Sequence, residues 1–328
     1  MSNIKTAEFV SPGHPDKICD FIADSILDAY LEQDAQSRCA IEVMGGHGVI
    51  TISGEVTSGA EVDIESIVKL IAGESYNVNI FLEKQSPQIA RGVDTGGAGD
   101  QGIMVGYATS ETKNLVPSEY ELARRICEAM YTKFPYDGKT QVTLETSDKQ
   151  PAYRTGRQET SIKTIVASFQ KTSSQELEEV ARDLIEDADE YIINPAGEWN
   201  IGGFDADSGL SGRKIVVDSY GPNIPVGGGS FSGKDATKVD RSGAYMARKI
   251  AVDYVNTKGA YQAMVKLGYA IGKAEPVMAI AVLDGKEEDI KGYDLRPQAI
   301  VEQLGLQEVG FKRTARWGHF GNNFKWDK

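Results

Sequence analysis

The order of predicted strands and helices recurs three times along the 328 residues, and this repeat constrains the fold more than any single motif. Alternating apolar runs such as Val49–Ser53 and Thr140–Leu144 indicate half-buried strands. Ile18, Phe21 and Ile22 show the i, i+3, i+4 spacing of an amphipathic helix. We therefore predict an α+β fold of three similar β-α-β-β-α-β subdomains, each with helices packed on one face of its sheet.

The first round consists of strands and helices at 4–9, 16–33, 38–44, 49–56, 62–72 and 77–82. The second round consists of an extended run at 101–110, a helix after Ser118, strands at 140–146 and 161–168, a helix at 174–188 and a strand at 191–193. The third round consists of a strand at 214–218, a helix at 241–255, strands at 261–271 and 277–283, a helix at 297–304 and an extended tail. Breaks rich in Gly or Pro separate the rounds, so we expect subdomains at 1–88, 99–201 and 203–328.

Charge excludes two classes of partner. The chain has 48 acidic and 35 basic residues and a formal net charge of -13, which opposes general binding to nucleic acid or to an anionic membrane. The longest apolar run, Val277–Leu283, is too short to span a bilayer. Cys19, Cys39 and Cys127 lack metal-binding spacing and are typical of buried thiols in a reducing compartment. We expect a cytoplasmic protein whose polyanionic ligand is small.

The Gly/Ser-rich stretch at 227–241 has the composition of a polyphosphate site. Gly228 to Lys234 satisfies the spacing G-x-x-x-x-G-K of a phosphate-binding loop, in which backbone N–H groups and a Lys surround the phosphates. Asp235 stands where that loop carries Ser or Thr, and Pro222 and Pro225 separate it from the preceding strand-like run. The stretch therefore favours a phosphate loop of another lineage over a Walker-type nucleotidase.

A second cluster, Ser11–Lys17, holds a His, a carboxylate and a helix start close together. Two prolines restrict the backbone around His14, and Asp16 begins the helix, so this cluster is suited to stabilising leaving-group charge. A lone His is more often structural than functional. The acidic residues Asp20, Asp24 and Asp28 continue at four-residue spacing, where like charges repel. We interpret these three as a solvated stripe and assign metal binding to Asp16 alone.

Three further clusters, at 97–102, 137–139 and 207–214, also place glycine beside charge ahead of a predicted strand. Each alone is an ordinary turn. Together with the 227–241 stretch they supply five cations: Lys139, Arg213, Lys214, Lys234 and Lys238. Because a triphosphate needs both cations and divalent metal, we expect Asp16 and Asp240 to bind Mg²⁺.

These clusters, in this order, resemble methionine adenosyltransferase, also called S-adenosylmethionine synthetase. The similarity runs from about Glu8 to Trp326. Its motifs are Gly13–Lys17, Lys84–Pro87, Gly97–Gly102, Asp137–Lys139, Gly209–Lys214, Gly227–Arg241, Ala270–Gly272, Ala274–Pro276, Asp294–Pro297 and Gly318–Gly321. The resemblance implies pseudo-threefold symmetry and a homodimer with its active sites at the interface, which in some members pairs into a tetramer.

The resemblance also implies the reaction and the residues that carry it. Methionine sulfur attacks C5′ of ATP and expels tripolyphosphate, which is cleaved to phosphate and pyrophosphate. The implied catalytic residues are His14 at the leaving oxygen and Lys139, Arg213, Lys214, Lys234 and Lys238 along the phosphates. The implied adenosine contacts are Asp100, Asp137 and Trp199. The implied methionine contacts are Glu55, Gln85, Asp207, Lys238 and Ile271. The implied metal ligands are Asp16 and Asp240 for two Mg²⁺ and Glu42 for K⁺.

Several positions depart from the family pattern. Trp199 replaces a Phe that stacks on adenine, and its larger π face preserves stacking while changing the pocket. Ser168–Lys171 differs from the usual Ser-Thr-Gln-His, and the loop at 86–99 and the stretch at 68–84 are shorter. Since loop closure often limits turnover, gating and product release are expected to differ. Two other hypotheses remain at this stage: a P-loop ATPase or kinase, and a nucleotide-binding relative without methionine-dependent activity.

Overall fold

A computed structural model describes residues 2–84, 96–147, 160–308 and 310–328. Its elements follow the predicted order in the first two thirds of the chain. The first third contains β1 (Ser2–Val10), α1 (Pro15–Gln33), β2 (Arg38–Gly46), β3 (Val49–Thr57), α2 (Ile64–Ala72) and β4 (Asn77–Glu83). The second contains β5 (Gly102–Thr109), α3 (Ser118–Lys133), β6 (Gly138–Ser147), β7 (Thr160–Phe169), α4 (Ser174–Leu184) and β8 (Ala188–Ile193).

The last third departs most from prediction. It contains β9 (Gly209–Leu210), α5 (Ile215–Asp218), α6 (Val239–Lys258), β10 (Gln262–Tyr269), β11 (Met278–Leu283), β12 (Lys286–Asp289), α7 (Pro297–Leu304) and α8 (Thr314–Trp317). The strand predicted at 214–218 was wrong, because this segment forms the short helix α5 and the pairing residues lie earlier, in β9. The tail is not extended either: it forms 3₁₀ turns and α8.

Within the described residues the strands form three four-stranded sheets, with orders β4-β3-β2-β9, β1-β6-β7-β8 and β12-β11-β10-β5. Each sheet combines three strands of one third with the first strand of another. β1 joins the central sheet, β5 the last and β9 the first, so the three thirds exchange their first strands in a cycle. The exchange was not predicted from the sequence. It ties the three predicted subdomains to one another through backbone pairing.

Helices cover one face of each sheet, as predicted. α1 packs on β2, α3 on β1 and β6, and α6 on β5 and β10. Alternate residues of β2 are buried, with Ile41 and Val43 on the helix side. The three cysteines are buried and unpaired, as the sequence indicates. No helix within the described ranges is both long and apolar enough to cross a membrane.

The acidic face of α1 is buried, so the predicted solvated stripe was wrong. Asp20, Asp24 and Asp28 are 1%, 0% and 5% exposed. Asp20 accepts from the backbone N–H of Gly212, and the other two accept from backbone N–H groups of loops further along the last third. These partners lie some two hundred residues or more away in sequence. Hydrogen bonds from such partners compensate the burial of charge that local spacing alone would disfavour.

Candidate functional site

His14 caps the N-terminus of α1. Its Nδ1 accepts a hydrogen bond from the backbone N–H of Asp16 at 3.1 Å, and Pro15 occupies the first helical position. The residue is 6% exposed. Because Nδ1 is an acceptor here, the neutral ring carries its proton on Nε2. His14 therefore presents a neutral N–H donor.

The segment before His14 is fixed to the turn at 136–138. Ser11 donates its backbone N–H to Gly138 O at 2.9 Å and its hydroxyl to Tyr136 O at 2.8 Å. The antiparallel register of β1 and β6 pairs Val10 with Lys139. This pairing brings the predicted residues of two distant clusters, around His14 and Lys139, to the same end of the central sheet.

Asp137 lies in this turn and reaches the last third of the chain. Its Oδ2 accepts from the backbone N–H of Gly203 at 2.9 Å. Burial raises the pKa of Asp137 against the opposing effects of this hydrogen bond and of Lys139, and the charge of Asp207 raises it further. The charge of Asp207 also raises the pKa of His14. His14, Asp137, Lys139 and Asp207 therefore lie close enough to interact electrostatically.

The loop at 209–214 lies across the N-terminal end of α1. Leu210 N donates to Asp16 Oδ1 at 2.9 Å, and Lys214 Nζ lies 2.6 Å from Asp16 Oδ2. The Arg213 Nε atom is 3.5 Å from Asp16 Oδ1, and its side chain is half exposed. Burial alone would raise the pKa of Asp16, but the hydrogen bonds from Lys214 and Leu210 N–H lower it overall. Asp16 thus holds two of the predicted phosphate-binding cations.

The 227–241 loop contains a second ion pair. Lys234 Nζ lies 2.5 Å from Asp240 Oδ2, and both side chains are partly exposed. Lys234 pairs with Ala40 of β2 through an isolated bridge, which fixes its backbone. The turn at 97–102 is adjacent, since a Cβ at Gly102 would lie 3.7 Å from Asp240 Oδ1.

Asp235, the residue that departs from the Walker pattern, has a structural role. It is 2% exposed, accepts from Cys39 N at 2.7 Å and from Thr237 N at 2.8 Å, and lies 2.5 Å from Lys238 Nζ. The carboxylate therefore attaches the loop to β2 and holds Lys238. A Ser or Thr hydroxyl, which carries no charge, could not make the ion pair with Lys238.

Electrostatics keep His14 neutral. Burial, with the positive charges of Lys214 and Lys139, lowers its pKa to about 3 against the opposing carboxylates of Asp16 and Asp207. An ordinary histidine takes up its proton near pH 6.5. At neutral pH the ring is consequently a hydrogen-bond donor and not a source of positive charge.

Glu42 and Glu55 lie on the face of the first sheet that α1 does not cover. Ala40 pairs with Glu55 in the β2–β3 register, and Ser211 donates its hydroxyl to Glu42 Oε2 at 2.7 Å. Desolvation raises the pKa of Glu42, opposed by Ser211 and by the charge of Lys234. Ser211 and Glu42 therefore connect the 209–214 loop with β2, and Glu42 lies within electrostatic range of Lys234.

Trp199 lies beside the Asp137 turn. Its Nε1 donates to Ser168 Oγ at 2.9 Å, and its carbonyl accepts from Lys171 N at 2.7 Å. Gln170 donates its amide side chain to Asn200 O at 2.9 Å. The unusual run at 168–171 thus orients the loop that carries Trp199.

For the other predicted residues, the structure shows contacts with backbone groups and, within the described part of the chain, no ion pair. Asp100 accepts from the backbone N–H of its neighbour Gln101, and Ile271 bridges to Ala98 and is 54% exposed. Asp207 accepts from its neighbour Ser208 at 2.8 Å. Gln85 lies outside the described residues.

Sequence reasoning missed a buried network behind the site. Lys17 binds both Asp20 and Asp218, and all three side chains are buried. Arg241 forms a two-bond ion pair with Asp24 and also binds Tyr245. Lys17 and Arg241 stand at the ends of two predicted clusters, but the glycine-beside-charge pattern assigned them no role because their carboxylate partners lie outside those clusters. The four-residue acidic spacing was the available signal.

Three family models match the chain in succession. The N-terminal, central and C-terminal domains of S-adenosylmethionine synthetase match residues 2–92, 95–201 and 201–328. In this three-sheet α+β fold, glycine-flanked loops carry cations that carboxylates balance. This is the composition of a polyphosphate site. The chain belongs to the S-adenosylmethionine synthetase family.

Individual relatives agree over nearly their whole length. The S-adenosylmethionine synthases of Acholeplasma laidlawii, Prochlorococcus marinus and Thermus thermophilus are 41%, 40% and 39% identical to this chain. The alignments cover 100%, 98% and 98% of this chain and 97%, 95% and 95% of the relatives. The first alignment spans 382 residues against 328 here, so that relative has segments that this chain lacks.

The state of His14 can be measured directly. We expect its ring nitrogens to keep the shifts of a neutral ring protonated at Nε2 from pH 8 to pH 5, because its pKa is lowered to about 3. Between that value and pH 6.5 the unfolded state binds the extra proton, so His14 makes the fold less stable as pH falls. Nitrogen NMR of the labelled protein reports this, with His14→Gln to assign the signal. A titration centred near pH 6.5 would contradict the account.

Proposed function

We propose that the protein makes S-adenosylmethionine from ATP and L-methionine. The methionine sulfur attacks C5′ of ATP in line, and the whole tripolyphosphate leaves and is then hydrolysed to phosphate and pyrophosphate. The observation that carries the proposal is that two cation-bearing loops are held on α1: Arg213 and Lys214 bind Asp16, and the backbone N–H of Gly233, next to Lys234, donates to Asp24. Membership of the family supports the substrates and the product.

The cations stabilise the departing group. As the S–C5′ bond forms from a sulfur lone pair, the electrons of the C5′–O5′ bond leave with the tripolyphosphate. Cations that are already in position stabilise this charge without reorganising at the moment of reaction. Lys214, Lys234 and Lys238 are each held by a carboxylate before any substrate binds. Lys139 and Arg213 complete the proposed set.

His14 acts as a hydrogen-bond donor at the leaving oxygen. The departing tripolyphosphate needs charge stabilisation at O5′, which a neutral Nε2–H supplies. Its tautomer is set by the hydrogen bond from Asp16 N to Nδ1. Because the pKa of His14 is lowered to about 3, we assign it this role in preference to that of a general acid.

Asp16 and Asp240 fit Mg²⁺ as hard oxygen ligands. Mg²⁺ usually binds through one or two carboxylates together with substrate phosphates and water, so two separate carboxylates suffice. In the described part of the chain no three His, Cys, Asp or Glu side chains cluster as a metal site of their own. We propose that Asp16 and Asp240 hold two Mg²⁺, which neutralise phosphate charge when bound and leave Lys214 and Lys234 to the phosphates. Glu42 is the proposed K⁺ ligand.

The substrate ends are assigned by resemblance and supported by position. Asp137 and Trp199 lie together, since the backbone N–H groups of Gln170 and Lys171 donate to their carbonyls, and the 136–138 turn is bonded to the segment before His14. This placement suits an adenosine site next to the leaving oxygen. The proposed adenosine contacts are Asp100, Asp137 and Trp199. The proposed methionine contacts are Glu55, Gln85, Asp207, Lys238 and Ile271.

Product analysis tests the proposal. Mass spectrometry should detect S-adenosylmethionine only when ATP, methionine and Mg²⁺ are all present, and K⁺ is expected to increase the rate. In the same assay His14→Ala should lower kcat by roughly 10²–10³-fold, the loss typical of removing one preorganised donor. Release of ADP without methionine would instead indicate a phosphotransferase or ATPase. Binding of nucleotide with no product would indicate a non-catalytic relative.

We further propose a homodimer, or a tetramer of two dimers, with active sites at the dimer interface. Each sheet exposes an apolar residue on the face opposite its helices: Ile4 on β1, Met44 on β2 and Ile103 on β5, at 66%, 56% and 52% exposure. Exposed apolar side chains on sheet faces that no helix covers suit a protein interface where they form one patch. A second copy of the chain would cover them.

Light scattering tests the assembly. The wild-type mass should be two or four times 35.6 kDa, and Met44→Glu combined with Ile103→Glu should reduce it and abolish activity, because a buried unpaired charge opposes association. Leu70→Glu is the matched control: Leu70 is 87% exposed but lies on α2, on the helix side. A wild-type monomer with full activity, or a double variant that keeps its mass, would overturn this proposal.

A further inference from the structure

The buried carboxylates of α1 anchor three separate loops at successive helical turns. Asp20 Oδ1 accepts from Gly212 N at 2.9 Å, and Asp24 Oδ1 accepts from Gly233 N at 2.8 Å. Asp28 accepts from the backbone N–H groups of two residues in the chain's last segment, at 2.7 and 3.1 Å. A helix rises 1.5 Å per residue, so the anchors are spaced by about 6 Å.

The first anchor holds the loop that carries Arg213 and Lys214. Gly212 immediately precedes this pair, and Asp20 is itself fixed by Lys17, whose Nζ also binds Asp218. Asp20 is buried near other carboxylates. Its negative charge is therefore stable only while Lys17 and Gly212 stay in place. The position of Gly212 therefore follows that of α1.

The second anchor holds the peptide on both sides of Lys234. Asp24 binds Gly233 N, and Arg241, which forms a two-bond ion pair with Asp24, donates from Nη1 to Lys234 O at 2.9 Å. Gly233 has φ +82°, and a Cβ there would lie 2.0 Å from Ile41 O. The backbone at Lys234 is thus pressed against β2 and tied to α1, with little room to shift.

We propose that Asp20 and Asp24 are positioning residues, which set the spacing between the Arg213–Lys214 pair and Lys234 so that one polyphosphate chain reaches both. The inference rests on the proposed function and goes beyond it, because neither carboxylate is placed in contact with substrate. Buried ion pairs are weak sources of stability but can fix a specific arrangement. Here the arrangement that they fix is the distance between two cation-bearing loops.

Asp20→Asn and Asp24→Asn test the proposal, with Mg²⁺ and the imido analogue of inorganic tripolyphosphate, which is not hydrolysed, as the binding probe. Each variant should weaken tripolyphosphate binding in calorimetry by roughly ten- to hundredfold, the equivalent of one charge-assisted hydrogen bond. For ATP, kcat/KM should fall by about 10²-fold, because a misplacement of about 1 Å costs this much. The KM for methionine should change little.

Asp28→Asn is the matched control. It removes a buried carboxylate from the same helix face, but its partners Phe311 and Lys312 carry none of the proposed phosphate contacts. It should lower the melting temperature while leaving tripolyphosphate affinity and kcat/KM for ATP unchanged. Equal losses of affinity in Asp24→Asn and Asp28→Asn, or no loss in either, would overturn the inference.

A second variant covers the case in which Asp24→Asn does not fold. Arg241→Lys keeps a cation opposite Asp24 but lacks the guanidinium fork that also reaches Lys234 O. It should weaken tripolyphosphate binding, and unchanged binding in the folded variant would overturn the inference. A wild-type protein that binds tripolyphosphate but makes no S-adenosylmethionine would defeat the proposed function alone, since the binding comparison can still be made.

Discussion

Burial of the acidic face of α1 is the constraint on which the rest of the site depends. Asp16, Asp20, Asp24 and Asp28 would be costly to bury alone, and each is compensated by backbone N–H groups, with cations added at the first three. Breaking a buried pair by removing one partner typically costs about 3–5 kcal/mol, so the helix and these loops hold one another in place. The same helix presents His14 at its N-terminus.

This arrangement gives the site its charge before substrate arrives. Lys214, Lys234 and Lys238 are oriented by carboxylates and lie in loops whose backbones are bonded to α1 or to β2. Burial and the charges of Lys214 and Lys139 lower the pKa of His14, so two of the cations proposed to bind phosphate also keep its ring neutral. In the proposed mechanism, such a site stabilises negative charge that develops on the leaving group without supplying a proton.

Local patterns predicted most elements, and the nonlocal features were missed for a physical reason. Apolar periodicity reports which face of an element is buried, so the repeated order and the one-sided sheets followed from it. Strand exchange depends on pairing between residues far apart in sequence, which periodicity does not encode. The short run at 215–217 is apolar and β-branched, which suits either a strand or a buried helical turn.

In the candidate site, too, local features could be predicted from the sequence and nonlocal contacts could not. Glycine beside charge selected the five cations proposed to bind phosphate, because both features are local in sequence, and their assignment stays a prediction. The prediction for the carboxylates of α1 was wrong because like charges four residues apart repel unless distant partners compensate them. Arg241, which compensates Asp24, lies 217 residues further along the chain. Asp235 was recognised as a departure from the Walker pattern, but its role in holding Lys238 required the three-dimensional contact.

The central claim is that carbon, and not phosphorus, is attacked while the cations hold the phosphates. ATP labelled with ¹⁸O at the 5′ bridging position tests it most directly, with mass spectrometry of all products after reaction with methionine. The account predicts that the label leaves entirely with the phosphate-containing products and that none stays on the nucleoside. Label retained on the 5′ carbon of the nucleoside product would contradict it.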